Sequence, residues 1–541
     1  MPATPVISSR PMPTPRLALV VAALAAACAP SAPAQSPAPA SPAPSPTCPP
    51  ATTVSLVSDD APPALIRDTP PGSDAAIYTP STEQQAIAAR LAGSIVVAGH
   101  AFDYLRDLTD TYGPRLTGSP SYARAAAWAA ETFKRAGVDS VAFEEVPIAN
   151  GWERHDAVSR IVAPLDRPLH VLAAPWSTPT LSEGVKGEVV VLKDLSTDAI
   201  RAQSYSIRGK IVVVDRAAFM KNEKFSWPTI VHAPDDLKKA GALALFIFGS
   251  REGQAIAVSS GGTIDHLGSA LPRAQLGHED GLLLQRLAEK GPVTITYTNT
   301  SPVTGPVKVP NIVAEIRGRE KPDEWVLVGA HFDSWDLATG AQDNGSGAAQ
   351  VIEAARAIHA LGTPPRRSIR FALYCGEEEG LHGSNAYAAT HAKELDKAVF
   401  VLNTDYGAGA PKGWSLNGRE DEKKSLQPLA TSLLAGLGGD TLGTKMRCDT
   451  DDCSFMVRGV PTANLDVDTS KYNDIHHLAA DTLDKVTRAS LDAGAAVVAV
   501  TAYAIADAPA RLSPRIDRTS VKAHLDKAEL FDEVQVSGLW K

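Results

Sequence analysis

Residues 325–347 read Trp325-Val-Leu-Val-Gly-Ala-His331-Phe-Asp333-Ser-Trp-Asp-Leu-Ala-Thr-Gly340-Ala-Gln-Asp343-Asn-Gly-Ser-Gly347, and this stretch decides the fold. Trp325 to Ala330 is apolar or small throughout, the mark of a strand buried on both faces. Ala348 to Leu361 follows as a helix, Ser368 to Cys375 as a second buried strand, and Ala398 to Leu402 as a third. Strands and helices alternating at this interval predict an α/β fold with a mostly parallel central sheet flanked by helices. Ligands of such sheets sit beyond the carboxyl ends of the strands. The polar residues at those ends are therefore the candidates for chemistry.

They form a consistent set. His331 and Asp333 follow the first strand, and Asp343 lies in the Gly-rich loop behind it. Glu377, Glu378 and Glu379 follow the second strand, and Asp405 follows the third. His476 and His477 lie in a late loop, with Asp481 four residues beyond His477. Singly, each has an ordinary reading: a hydrogen-bonded histidine, a solvated acidic run, a helix-capping aspartate. Jointly they would meet at one edge of one sheet. Mixed imidazole and carboxylate ligands suit zinc. A bridging carboxylate suits a pair of metals about 3.5–4 Å apart. No G-x-S-x-G elbow, P-loop or dinucleotide-binding glycine pattern stands in its required context. Cys375 lies within a strand and reads as a small core residue.

Outward from this region the chain changes character. Residues 1–28 read as a signal peptide, with Arg10 and Arg16 ahead of an apolar core, Leu17 to Ala27, too short to span a bilayer. Two processing routes compete. Ala32-Pro33-Ala34 offers a cleavage site, and Leu24 to Cys28 resembles a lipoprotein box with its Leu four rather than three residues before the Cys. Both routes export the protein, and a lipid at Cys28 is the one membrane attachment they allow. Residues 29–80 are a Pro/Ala/Ser-rich linker, nine prolines falling within residues 29–50. Such a segment buries too little apolar surface to offset its ordering entropy. Residues 81–149 begin the catalytic domain, and residues 306–508 complete it. Between them, residues 150–305 carry strand-like runs and no ligand-spaced cluster, which reads as a separate non-catalytic unit. Leu491 to Ala506 reads as a buried or amphipathic helix, and 509–541 as a charged tail without an assigned role. At about 150 residues per domain, 541 residues allow more than three domains. Subtracting signal and linker leaves one domain split by one insert. The content of 44% hydrophobic and 21% charged residues is that of a soluble globular protein, and the net charge of −9 argues against a nucleic-acid partner.

These residues carry a resemblance. The segments Tyr112 to Ser119, Gly151 to Arg154, His331 to Asp336, Gly340 to Gly347, Gly376 to Ser384, Asn403 to Asp405, and His476-His477 with Asp481-Thr482 resemble the co-catalytic di-zinc exopeptidases. Within that family the likeness is greater to the carboxypeptidase Q type than to the aminopeptidases, and it runs from about Tyr112 to Ala508. The resemblance implies a zinc-peptidase fold with a protease-associated domain inserted at about 150–305. It implies two zinc ions as cofactors, one held by His331, Asp343 and Asp405, the other by Asp343, Glu378 and His477. Glu377 would be the general base that takes a proton from the attacking water and returns it to the leaving amine. Asp333 would orient His331. The family also implies a cis peptide bond at Asp343–Asn344. His477 is preferred to His476 as ligand because the family's ligand lies four residues before the Asp of the Asp-Thr pair; His476 then falls where it would touch the substrate carbonyl. Outside the cytoplasm Cys448 and Cys453 would pair, two free thiols being the other reading; related aminopeptidases carry a similar short loop.

The implied activity is hydrolysis of dipeptides or short peptides from one end, in a direction no motif names. A homodimer is left open. A metal-free receptor-like homologue and a glutaminyl-cyclase-like transferase are the alternatives. Every expected ligand and the base are present, which disfavours the first, and five ligand positions favour two metals over the single zinc of the second. The ordering of the two histidines gives an expected outcome. His476→Ala lowers turnover without changing zinc content; zinc loss in that variant, measured by elemental analysis, would overturn the ordering.

Overall fold

In the computed structural model, residues 77–221 and 227–541 are described. The signal peptide, Cys28, Cys48 and nearly all of the 29–80 linker lie outside the described residues. The sheet that carries the candidate residues has eight strands. In chain order they are β1 (Ser140–Ile148), β2 (Val307–Ile316), β3 (Lys321–His331), β4 (Arg367–Tyr374), β5 (Ala398–Asn403), β6 (Pro411–Ser415), β7 (Thr441–Gly443) and β8 (Thr462–Val467). Their spatial order is β1-β2-β4-β3-β5-β8-β6-β7. The centre, β4-β3-β5-β8, is parallel. Antiparallel pairing of β2 with β4 and of β6 with β8 begins the flanks.

β3 lies between β4 and β5, so the chain leaves β3 for a neighbour on one side and later crosses to the other. The carboxyl end of β3 is thus the topological switch point, where a crevice must open. His331 is the last residue of that strand. Successive β3 side chains point to opposite faces. Val326, Val328 and Ala330 enter the main core, while Trp325 and Leu327 enter a second core with Tyr387 and Phe455. Both faces are apolar because both are covered, which is why the strand reads as a continuous hydrophobic run.

The main core lies beneath α1 (Thr82–Ala98), α2 (Pro120–Ala136), α3 (Ser346–Ala360) and α4 (Arg488–Asp507). α2 starts where Ser119 accepts the Tyr122 amide with Pro120 in the first turn, and ends at Gly137 in the left-handed region, φ 89°. α4 is long and apolar enough to cross a membrane by length and composition, but it packs against α1 and α3 and is almost wholly buried, as a core helix.

β1 and β2 pair residue for residue from Ser140 with Glu315 to Ile148 with Val307. The chain between them builds a second eight-stranded sheet, from Ala157–Ala163 to Thr294–Asn299, with cores of its own. The segment leading into it is pinned to the main domain. Arg154 forks onto Asp336, with Nε to Oδ2 at 2.7 Å and Nη2 to Oδ1 at 2.8 Å, and lies over the Trp152 ring.

Residues 509–541, read from sequence as a charged tail, differ from that reading. They fold into two helices, Arg518–Lys527 and Phe531–Val536. Val521, Leu525, Val534 and Leu539 pack with Leu381, Met456 and Val457. Val521 and Leu525 stand four apart on one helix face, a pattern hidden between charged neighbours. Leu525 is fully buried. Leu525→Ala is expected to destabilise the protein by about 2–5 kcal/mol, read from urea unfolding; a loss under about 1 kcal/mol would return the segment to the status of a tail.

Candidate metal centre

Seven of the side chains singled out in the sequence, two of them from the late loop, converge at the carboxyl ends of β3, β4 and β5. The His331 ring is buried. Its Nδ1 donates to the Asp333 carbonyl at 3.1 Å, which leaves Nε2 facing Asp343 Oδ1 at 3.2 Å and Asp405 Oδ1 at 3.0 Å. The other Asp343 oxygen, Oδ2, faces His477 Nε2 at 3.3 Å and His476 Nε2 at 3.5 Å. His477 Nε2 also meets Glu378 Oε2 at 2.9 Å. Glu377 Oε2 stands 4.0 Å from His331 Nε2. Asp343 thus presents one oxygen to each of two donor groups, His331 with Asp405 and His476 with His477. Both histidines of the late loop reach Asp343; His477 also reaches Glu378.

The supports come from all sides. The Asp343–Asn344 bond is cis. Asp481 accepts the Gln342 amide at 2.7 Å and the Asp343 amide at 3.0 Å, one on each oxygen. Asn344 Nδ2 donates to Asp405 Oδ1 at 3.0 Å and to the Thr404 carbonyl at 2.8 Å. The Asp333 carboxylate accepts the Glu377 and Glu378 amides, both at 3.3 Å. Its nearest approach to the His331 ring is longer, 3.7 Å. Asp333 therefore holds His331 through its backbone carbonyl, and its side chain holds the loop of the two glutamates.

Arg115, within the segment Tyr112 to Ser119, has a role that no local sequence pattern marks. Arg115 is fully buried and donates to the carbonyls of Phe332 at 2.7 Å, Thr339 at 2.8 Å and Gly340 at 3.0 Å. Burial pulls its guanidinium down to about 10, so it stays charged at neutral pH. It buckles the loop between His331 and Asp343. A lone Arg in a turn-rich segment, more than 200 positions from these partners, offered only its place in a motif as a signal.

The donor set fits zinc. Burial, with Asp405 and Glu378 adding to it against His331, pushes the Glu377 carboxyl well above its ordinary range. Burial likewise raises Asp405 against His331. Burial opposes ionisation of Asp343 too, but His331 and His477 hold that carboxyl well below its ordinary range. Buried carboxylates facing imidazole nitrogens require positive charge among them, from protons or from metal cations. Glu378 Oε1 is buried without a hydrogen-bond partner among the described residues. Imidazole and carboxylate donors around such a gap are zinc ligands by type, and His331 Nδ1 has the outer partner that ligand histidines usually have. Cys448 and Cys453 form a disulfide beside the centre, Cα–Cα 4.9 Å, and Cys375 is a buried free thiol. A cavity of about 1020 Å³ opens from Glu377, Glu378 and His476 and is walled by residues of the second sheet's unit and of the C-terminal segment.

A family model described as Peptidase family M28 matches residues 311–502. The chain is 32% identical over 417 residues to carboxypeptidase Q of Rattus norvegicus, covering 75% of this chain and 85% of that protein. It is 24% identical over 421 residues to aminopeptidase YwaD of Bacillus subtilis (strain 168), covering 75% of this chain and 84% of that protein. Among solved structures, a peptidase M28 precursor from Shewanella amazonensis matches with a TM-score of 0.71 and 30% identity, over 80% of this chain and 99% of that one. A zinc aminopeptidase from Bacillus subtilis shares the fold, with a TM-score of 0.59 and 22% identity, over 76% of this chain and 96% of that one.

The double acceptor role of Asp481 gives a test. Asp481→Asn is expected to weaken zinc binding about 10- to 100-fold, measured by competition with a chelator. Unchanged affinity would mean that the Gly-rich loop holds its shape without it.

Proposed function

The chain belongs to peptidase family M28, and on that premise we propose that it is an exported exopeptidase that uses two zinc ions to remove a terminal residue from dipeptides or short peptides. That it is a metallo-exopeptidase follows from the family. Its export, its metal count and its substrates are the proposal. The observation that carries it is Asp343, whose two oxygens face two separate donor groups. His331, Asp343 and Asp405 would hold one zinc, and Asp343, Glu378 and His477 the other.

Bound there, zinc makes a water acidic near neutral pH and polarises the scissile carbonyl. The remaining work belongs to the chain. Glu377 is a carboxylate at the centre that these ligands leave over, it opens onto the cavity, and its amide is tied to Asp333. It takes the proton of the attacking water and passes it to the leaving amine. Burial favours the neutral form of Glu377 and so helps it to keep that proton between the two steps. His476 is partly exposed, 3.5 Å from Asp343, and would touch the substrate carbonyl oxygen.

The Cys448–Cys453 disulfide supports an oxidising compartment. The block between β1 and β2 is read as a protease-associated-type insert because it leaves the main sheet between paired strands and returns over the cavity. A receptor-like or cyclase-like role finds no support, since no ligand position is missing. The test is hydrolysis by the zinc-loaded protein of a free dipeptide and of the same dipeptide acetylated and amidated. Cleavage of the free peptide alone is expected, with Glu377→Gln lowering turnover at least about 100-fold. Equal cleavage of the doubly blocked peptide, or full activity of Glu377→Gln, would overturn the reading.

A further inference from the structure

The general base fixes which part of the substrate each wall of the cavity bounds. Glu377 returns its proton to the leaving amine, so the residue that carries that amine lies beside the glutamate loop. That loop is a tight turn, in which the Glu377 carbonyl accepts the Gly380 amide at 2.8 Å and the Leu381 amide at 3.0 Å. Leu381 follows in the left-handed region, φ 63°, where a bulky side chain is rarely found. Such backbone persists only where the surroundings enforce it, and it clusters at active sites and ligand clamps. Leu381 both lines the cavity and packs with Val534, Leu539 and Val457.

Beyond Leu381 the wall comes from two other parts of the chain. The C-terminal helix Phe531–Val536 packs on the insert's helix Trp227–Lys239, and Val536 from the first and Val231 from the second line the cavity. Thr263 of the insert lines it as well, in a loop gripped from both sides. On one side the Ser537 carbonyl accepts the Ile264 amide at 3.2 Å, Lys541 pairs with Asp265 at 2.7 Å, and Gly538, φ 81°, lies so close that a Cβ there would stand 2.6 Å from Asp265 Oδ2. On the other, a Cβ on Gly262 would stand 2.6 Å from the Glu379 carbonyl oxygen. The C-terminal segment is therefore only one loop away from the glutamates. Two valines of its last helix divide the work. Val534 is buried in the core shared with Leu381, while Val536 is partly exposed at the cavity. Glu533 lines the cavity too and has partners of its own.

Apolar side chains left open to a cavity gain when an apolar group of a ligand covers them. We propose that Val536, with Leu381 and Val231, forms the pocket for the side chain of the leaving residue, so that the C-terminal segment selects which residue departs. This rests on the exopeptidase reading and names the part of the chain that gives it specificity. In a dipeptide the leaving residue is the second, whichever end the protein recognises.

The experiment measures kcat/KM of the zinc-loaded protein on dipeptides that differ at one position. Val536→Asp is expected to shift the ratio of alanyl-lysine to alanyl-leucine at least about tenfold in favour of lysine, and to leave the ratio of lysyl-alanine to leucyl-alanine within about threefold of its original value. Val536→Trp fills the pocket and is expected to lower alanyl-leucine against alanyl-glycine by about tenfold or more. Zinc content and melting temperature report whether each variant is folded, and Val536→Trp decides alone if Val536→Asp is not. A folded variant with unchanged selectivity at the second position overturns the proposal, as does one that shifts selectivity at the first position instead. In both cases hydrolysis of the dipeptides by the unaltered protein leaves the exopeptidase reading standing. Hydrolysis of none of them by the unaltered protein would end both.

Discussion

One oxygen of Asp343 faces His331 and the other faces His477, and the span of that single carboxylate constrains everything around it. It requires the end of β3 and the late loop to meet within a few ångströms, although they are far apart in the chain. Three of the segments around it are each held by a device of their own. Asp481 holds the Gly-rich loop by two backbone amides, Asp333 holds the glutamate loop by two more, and Arg115 gathers the carbonyls between His331 and Asp343. Two acids and one base, all buried, thus position backbone rather than one another. Backbone groups are the parts of a loop that a side chain can fix without competing for the ligands.

The parallel core of the sheet was legible because strands buried on both faces are written as unbroken apolar runs, as from Trp325 to Ala330. The donors were legible because each stands where such a run stops. What could not be read depended on contacts across the fold. Arg115 has no local pattern, since its partners lie on another element. The turn brings the Asp333 carbonyl nearer to the His331 ring than its carboxylate, which is left for the glutamate loop, and no sequence pattern tells the two apart. The helices after Arg518 were obscured because their short apolar faces alternate with charges, and only their packing on Met456 and Val457 shows which side is inward.

Residues 150–305 were expected to be a separate, non-catalytic unit. No residue of that block joins the donor groups among the described residues. Two of its residues, Val258 and Ser260, are hydrogen-bonded to the backbones of His477 and Glu378. The C-terminal segment joins the same enclosure, the Ser537 carbonyl accepting the Ile264 amide and Lys541 pairing with Asp265. Chemistry and enclosure are thus divided between different parts of one chain. The first depends on donors placed to within fractions of an ångström, the second on a surface that can vary around them.

The pairing of β1 with β2 gives that division a topological basis. The two strands are zipped from Ser140 opposite Glu315 to Ile148 opposite Val307, so the ends of the intervening block emerge side by side, one strand spacing apart. The main sheet closes its edge in the same way whether a tight hairpin or a whole folded unit hangs from that point. Such a junction behaves as a socket: what is plugged into it can be exchanged, enlarged or redesigned without re-registering a single strand of the sheet beneath, and new substrate ranges are open to this architecture by changing the attachment alone.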